Sequence, residues 1–118
     1  MAITLSPVIT TSIALMIVLP VSAFAASFSC TNVTTPDEKT ICANRELSEK
    51  DVRMATTYSL LRKALLMGGR AALQDEQSEW LNKRRHCGEN MQCLSHLYNE
   101  RIEMLNIQYE QVVASRNE

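Results

Sequence analysis

The sequence predicts an all-α fold: a short N-terminal helix followed by three longer antiparallel helices, stapled by two disulfides. Leu, Ala, Glu, Arg, Met and Gln dominate after residue 40, and Val, Ile and Thr are sparse there. This composition favours helix over strand. Apolar residues recur at steps of three, four and seven, the spacing of amphipathic helices. Four cysteines in a chain of 118 residues are typical of a small exported domain, and this length predicts one folded domain.

The first 25 residues are predicted to be a secretory signal peptide. All 12 Lys and Arg and all 13 Asp and Glu lie at or beyond Asp37. The apolar run Ile13–Leu19 is followed by Pro20 and by the small-residue site Ser22–Ala25, which predicts a cut after Ala25. No Lys or Arg stands near the start, a departure from the usual pattern. An uncleaved anchor is the alternative, but the run is shorter than the roughly 20 residues that span a bilayer.

Removal of this segment leaves a domain of residues 26–118 with a different composition. Hydrophobic residues make up 46% of the whole chain but about 40% of this domain. A domain of this size buries a modest core, so disulfides are common in such chains. The formal net charge of -1 gives no basic footprint for nucleic acid.

The four cysteines, Cys30, Cys42, Cys87 and Cys93, all lie in the predicted mature domain. An even number in a short exported chain implies a disulfide framework, and four cysteines allow three connectivities. We favour Cys30–Cys42 and Cys87–Cys93, because both close short local loops.

A metal site is the alternative use of two of these cysteines. His86, Cys87, Cys93 and His96 lie close together in the sequence. Paired zinc ligands are usually two to four residues apart, and an oxidising compartment removes the thiols. We therefore expect no metal and no other cofactor.

A helix start signal lies at Thr35–Glu38. Thr35 is a suitable N-cap, Pro36 suits the first helical position, and Glu38 stands three residues after the cap. This pattern predicts a first, short helix over residues 36–43, with Cys42 near its end.

Three longer helices follow, with glycines between them. The second is predicted to begin near Ser48 and to end at Gly68-Gly69, and Gly88 ends the third. Asn90 can cap the fourth. Their predicted ranges are 48–67, 70–86 and 91–114. The short connections imply antiparallel neighbours.

Each long helix carries an apolar stripe that predicts packing. The stripes are Leu47, Met54, Tyr58, Leu61 and Leu65 on the second helix, Leu73 and Trp80 on the third, and Leu94, Tyr98, Leu105 and Val112 on the fourth. We interpret Tyr58, Trp80 and Tyr98 as core residues, packed with Leu47 and Leu94, and not as a ligand-stacking surface. A buried tyrosine hydroxyl then needs a hydrogen-bond partner.

Four polar residues interrupt these stripes: Asp51, Gln77, Arg84 and Arg101. Buried charges are costly unless they are paired. We predict that Asp51 pairs with Arg84 or Arg101, with Gln77 nearby, in a network that fixes the register of the helices. An anion-binding pocket lined by arginine is the alternative.

A set of motifs lies in order over about residues 28–105. They are Phe28-Ser29-Cys30, Thr35–Ala43, Leu47, Asp51, Tyr58, Gln77-x-x-Trp80-Leu81-x-x-Arg84-x-x-Cys87, Cys93-Leu94 and Tyr98-x-x-Arg101. These motifs resemble the N-terminal domain of LprI-type lysozyme inhibitors. Arg85 departs from that family, which often has an acidic residue there. Ser27-Phe28-Ser29 before Cys30 does not resemble the lipobox of the lipoprotein members.

The resemblance implies that some members inhibit lysozyme, an enzyme that cleaves glycan with two carboxylates in a cleft. An inhibitor would need a rigid protrusion that offers hydrogen-bond donors to those carboxylates. The candidate contacts are Arg85, His86 and Glu89, around the Cys87–Cys93 loop. The segment 30–36 and the turn at Met67–Arg70 are alternatives. A net charge of -1 gives little steering toward a basic lysozyme.

The sequence therefore predicts a periplasmic or secreted, non-enzymatic protein that binds a protein partner, with lysozyme as the first target. A periplasmic interaction or envelope-stress module with another partner is the alternative. The two histidines stand beside no plausible nucleophile, and no phosphate-binding glycine loop is present. We expect no nucleic-acid partner and no membrane contact after signal cleavage, and the oligomeric state stays open.

Overall fold

The computed structural model describes residues 2–4 and 26–118. Nearly all of the predicted signal peptide lies outside these residues, so its cleavage stays a prediction. The described part contains four helices and no strand, which confirms the all-α fold. The helices are α1 (Pro36–Ala43), α2 (Arg45–Ala64), α3 (Met67–Cys87) and α4 (Met91–Arg116). Within the described residues, no helix is both long enough and apolar enough to span a bilayer.

Local sequence explains where the helices begin. Thr35 holds the N-cap position of α1 with Pro36 after it, although its side chain makes no capping hydrogen bond. The side chain of Asn44 accepts from the Leu47 N–H at 3.0 Å and starts α2. The side chain of Asn90 accepts from the Cys93 N–H at 3.0 Å and starts α4. Each asparagine satisfies an N–H that has no partner within its helix.

The predicted boundary between the second and third helices was wrong. α2 ends at Ala64 and α3 begins at Met67, so Gly68 and Gly69 lie in the first turn of α3 and do not end α2. The break lies at Leu65 and Leu66, both of which have extended backbones. A Cβ atom on Gly69 would lie 3.2 Å from the Leu65 side chain, so this glycine allows a close approach.

From α2 onward, consecutive helices run antiparallel, so α2 and α4 run parallel to each other. Contacts between Lys50 and Ser95 at one end of this pair and between Ala64 and Arg116 at the other show the shared direction. The core lies along the α2–α4 seam and under α3. Its fully buried members include Ile41, Leu61, Leu94, Tyr98 and Leu105.

Both predicted disulfides are confirmed, and both lie at one end of the bundle. Cys30 is bonded to Cys42 with Cα atoms 5.8 Å apart, and Cys87 is bonded to Cys93 with Cα atoms 5.6 Å apart. We call this part of the molecule the disulfide end: α1, the first turn of α2, the last turn of α3 and the first turn of α4.

Candidate functional site

A buried ion pair joins α1 to the C-terminal turn of α3. The Nε atom of Arg84 donates to Oδ2 of Asp37 at 2.8 Å, and Nη2 lies 3.5 Å from Oε1 of Glu38. The guanidinium carbon lies 5.5 Å from the centroid of the Phe28 ring, within cation–π range. Arg84 therefore holds α1, and the segment before it, against α3.

Asp51 on α2 is a second buried carboxylate in the same region. The Tyr98 hydroxyl donates to its Oδ1 at 2.8 Å, and the Ser27 N–H donates to its Oδ2 at 2.6 Å. Nη1 of Arg84 lies 3.8 Å from Oδ1. Asp51 and Arg84 are thus brought together, but only at the outer limit of an ion pair. The closer carboxylate partner of Arg84 is Asp37, which the sequence reasoning missed.

Gln77 and Arg101 form a separate cluster between α3 and α4. Arg101 donates to Oε1 of Gln77 from Nε at 3.1 Å and from Nη2 at 2.9 Å. Its Nη1 atom lies 3.5 Å from Oε2 of Glu76. Nε2 of Gln77 lies 3.3 Å from the sulfur of Met54. The four polar residues predicted to form one network are therefore divided into two clusters.

The pKa values of three groups in these clusters are shifted, each for a clear physical reason. Burial raises the pKa of Asp37, but hydrogen bonding and the positive charge of Arg84 outweigh it, so the pKa is lowered overall. Burial raises the pKa of Tyr98, and the nearby charge of Asp51 raises it further. Burial lowers the pKa of Arg101 despite the attraction of Glu76. Such groups suit structural ion pairs better than proton transfer at neutral pH.

The predicted contact residues Arg85, His86 and Glu89 are all exposed at the disulfide end. Nδ1 of His86 lies 2.8 Å from the carbonyl oxygen of Asn82. A carbonyl can only accept, so Nδ1 carries the proton in this contact. The contact holds the imidazole against its own helix. Arg84, in the same basic run, is buried.

An open groove of about 440 Å³ lies beside the Cys87–Cys93 disulfide, between α3 and α4. Lys83 and His86 line it from α3, and His96 and Leu97 line it from α4. The groove lining is mostly apolar and includes a few polar side chains, a combination found in ligand- and partner-binding clefts.

The histidines beside this disulfide do not form a metal site with it. The sulfur atoms of Cys87 and Cys93 are bonded to each other. Among the described residues, no group of three or more His, Cys, Asp or Glu side chains is placed to hold a metal ion.

The two alternative protrusions lie in different places. The segment 30–36 is tied to α1 by the Cys30–Cys42 bond. The turn between α2 and α3 lies at the opposite end of the bundle, where Leu66 is 83% exposed and Met67 is 84% exposed. The candidate protrusions therefore lie at opposite ends of the bundle.

Comparison with known proteins identifies one family. The model described as "Lysozyme inhibitor LprI" matches residues 30–105 of the chain. This range includes α1, α2, α3, both disulfides and the first half of α4. No curated protein and no solved structure matches the chain.

Proposed function

Because the chain belongs to the lysozyme inhibitor LprI family, we propose that it is an exported, non-enzymatic binding protein that blocks the glycan-cleaving cleft of a lysozyme. The match over residues 30–105 carries this proposal. It spans the whole disulfide end, which we propose as the inhibitory surface.

The disulfide end is preorganised for binding. The Cys87–Cys93 bond closes a loop with a sequence separation of 6, and Asn90 caps the helix that follows the loop. Arg84 anchors the base of the loop from inside through its bond to Asp37. A loop held in this way loses little conformational entropy when it binds, so more of its contact energy appears as affinity.

The chemistry of the loop suits a cleft lined by carboxylates. Arg85 can donate two parallel hydrogen bonds to one carboxylate, and it is in none of the ion pairs among the described residues. The Nδ1 contact of His86 leaves its Nε2 atom on the other side of the ring. Because Nδ1 carries the proton, Nε2 of the neutral ring can only accept, so it suits the protonated carboxyl group of the catalytic pair, whereas Arg85 suits the ionised one.

Local contacts must supply most of the affinity in this proposal. The formal net charge of -1 provides little long-range attraction to a basic enzyme. We therefore expect an ordinary association rate and an affinity that is set by the dissociation rate.

The test is a turbidity assay of bacterial cell walls with several lysozymes and the purified, oxidised domain. We expect the wild-type domain to slow clearing. Arg85→Glu should weaken inhibition by at least about tenfold, the loss of one charge-assisted contact. Arg53→Glu is the matched control, because Arg53 is also exposed and is in none of the ion pairs among residues 2–4 and 26–118.

The possible outcomes separate the proposals. If the domain at large molar excess slows none of the lysozymes, inhibition is rejected and a different envelope partner takes its place. If the wild type inhibits and Arg85→Glu inhibits equally well, the disulfide end is not the inhibitory surface. Export to the periplasm or the medium is part of the proposal, and N-terminal sequencing of the exported protein should begin at Ala26.

A further inference from the structure

We propose that the end of the bundle opposite the disulfides is a docking surface for an anionic phospholipid membrane. We call this end the hairpin tip: Leu65–Arg70, together with Arg62, Lys63 and Arg116. Leu66 and Met67 stand side by side at its apex and are 83% and 84% exposed. Two adjacent apolar side chains at a convex end can enter the boundary between lipid headgroups and acyl chains.

Four cations from three helices lie close to this turn. Nε of Arg70 donates to the carbonyl oxygens of Arg62 at 3.0 Å and Leu65 at 2.8 Å. Nη2 of Arg116 donates to the carbonyl oxygen of Ala64. These bonds place the cations of α3 and α4 beside Arg62 and Lys63 in the last turn of α2.

The positive charge of the tip is not neutralised by the protein. Arg45, Lys50, Arg84 and Arg101 each lie within ion-pair distance of a carboxylate. The ion pairs found among residues 2–4 and 26–118 include none of the four tip cations. All four are exposed, so their charge is available to lipid phosphates.

The unpaired positive charge of the tip favours an anionic lipid surface, because each Lys or Arg close to such a surface adds to the attraction. Exposed apolar side chains beside several Lys and Arg are typical of proteins held at an anionic membrane surface. Sequence alone could not indicate this surface, because Arg116 is distant in the chain. The proposal revises the earlier expectation of no membrane contact.

The geometry separates this surface from the inhibitory one. α2 and α4 run parallel from the disulfide end to the tip, as their paired contacts show. A membrane bound at the tip therefore leaves Arg85 and His86 at the far end of the bundle. The domain could be held at a membrane while its disulfide end faces the surrounding fluid.

Co-sedimentation with vesicles tests the proposal. Phosphatidylcholine vesicles are compared with vesicles that also contain phosphatidylglycerol, and the purified oxidised domain should bind only the latter, less strongly as salt rises. Gly68→Asp is the main variant, because a side chain added there meets nothing within 4 Å. We expect about fivefold weaker binding, since the change adds one negative charge at the tip. A double change of Arg62 and Lys63 to Ser should weaken it by about 25-fold, about fivefold for each cation.

Met91→Asp is the matched control. It also places an aspartate in the first turn of a helix that has no acidic residue there, but at the disulfide end, and it should leave vesicle binding unchanged. Failure of the wild type to bind phosphatidylglycerol vesicles would overturn the proposal, as would equal loss in Gly68→Asp and Met91→Asp. If vesicle binding is absent and Gly68→Asp abolishes lysozyme inhibition, the tip belongs to the protein partner instead.

Discussion

Asp51 is a buried carboxylate whose partners come from three parts of the chain: Ser27, Tyr98 and Arg84. Asp51→Ala would leave a tyrosine hydroxyl and a backbone N–H without their acceptor and would remove one of the charges near Arg84. Removal of one partner from a buried charged pair costs about 3–5 kcal/mol. We expect a loss of this size in the free energy of unfolding, measured by urea denaturation.

The control for this change is Asp75→Ala. Asp75 is an exposed helical carboxylate, so its loss should change the unfolding free energy by less than about 0.5 kcal/mol. If Asp51→Ala unfolds at the same urea concentration as Asp75→Ala, Asp51 does not stabilise the fold and an anion-site role becomes the better interpretation.

Asp37 makes the stability of the domain depend on acid pH. Its pKa in the folded state lies below the ordinary value of 3.8 for an aspartate, so the unfolded chain binds a proton first as pH falls. The stabilisation from Asp37 is complete above the unfolded value and is lost as pH falls through the folded value. We expect the melting temperature of the wild type to fall from about pH 4 downward.

The variant Asp37→Asn isolates this contribution. It should melt at a lower temperature at neutral pH, because Arg84 loses its nearest carboxylate, and it should show a shallower fall in melting temperature below pH 4. An acid slope identical to that of the wild type would assign the fall to other carboxylates.

Sequence could reveal one of these two carboxylates but not the other. Asp51 interrupts an apolar stripe, and this position is a direct signal of burial. Asp37 lies in the first turn of α1, where a carboxylate is favoured by the helix dipole whether or not it is buried. Its contact with Arg84 spans 47 residues of sequence, so only the packing of α1 against α3 reveals it.

At the scale of the helices, Gly68 and Gly88 give a matched test, because they differ in backbone conformation. Gly88 has φ 55°, a conformation that other residues rarely adopt, whereas Gly68 is helical and has open space around it. Gly68→Ala should stabilise the domain by about 0.4–1 kcal/mol, and Gly88→Ala should destabilise it by about 1–3 kcal/mol. Urea denaturation of both variants measures the difference. Equal shifts would show that the turn after α3 does not need its glycine.

The starts of α1 and α4 lie at the predicted residues, whereas α2 and α3 each begin three residues before the predicted position. Thr35-Pro36 and Asn90 mark starts because their chemistry acts on the next three residues. A glycine pair is ambiguous, because glycine is also tolerated in a first turn, where the N–H groups lack helical partners anyway. The actual break depends on a tertiary feature: Arg70 reaches back to the carbonyl oxygens of Arg62 and Leu65.

At the scale of the whole molecule, the core alone supports a small domain only marginally. The fold class could be predicted from composition and apolar spacing, because each helix carries these signals in its own sequence. The packing of α2 against α4 could not be predicted, because it depends on which neighbouring helix each apolar stripe contacts. The two disulfides act on this assembly from one end: Cys30–Cys42 holds the preceding segment against α1, and Cys87–Cys93 joins the end of α3 to the start of α4.

The two disulfides should therefore contribute unequally to stability. Their sequence separations are 12 for Cys30–Cys42 and 6 for Cys87–Cys93, and loop entropy predicts about 2–3 kcal/mol for each, more for the longer loop. Loss of Cys30–Cys42 also frees Ser27 and Phe28, which contact Asp51 and Arg84. We expect the double change of Cys30 and Cys42 to Ser to lower the melting temperature more than that of Cys87 and Cys93. Circular dichroism at 222 nm, the α-helix band, measures both, and the reverse order would show that α1 is not an integral part of the fold.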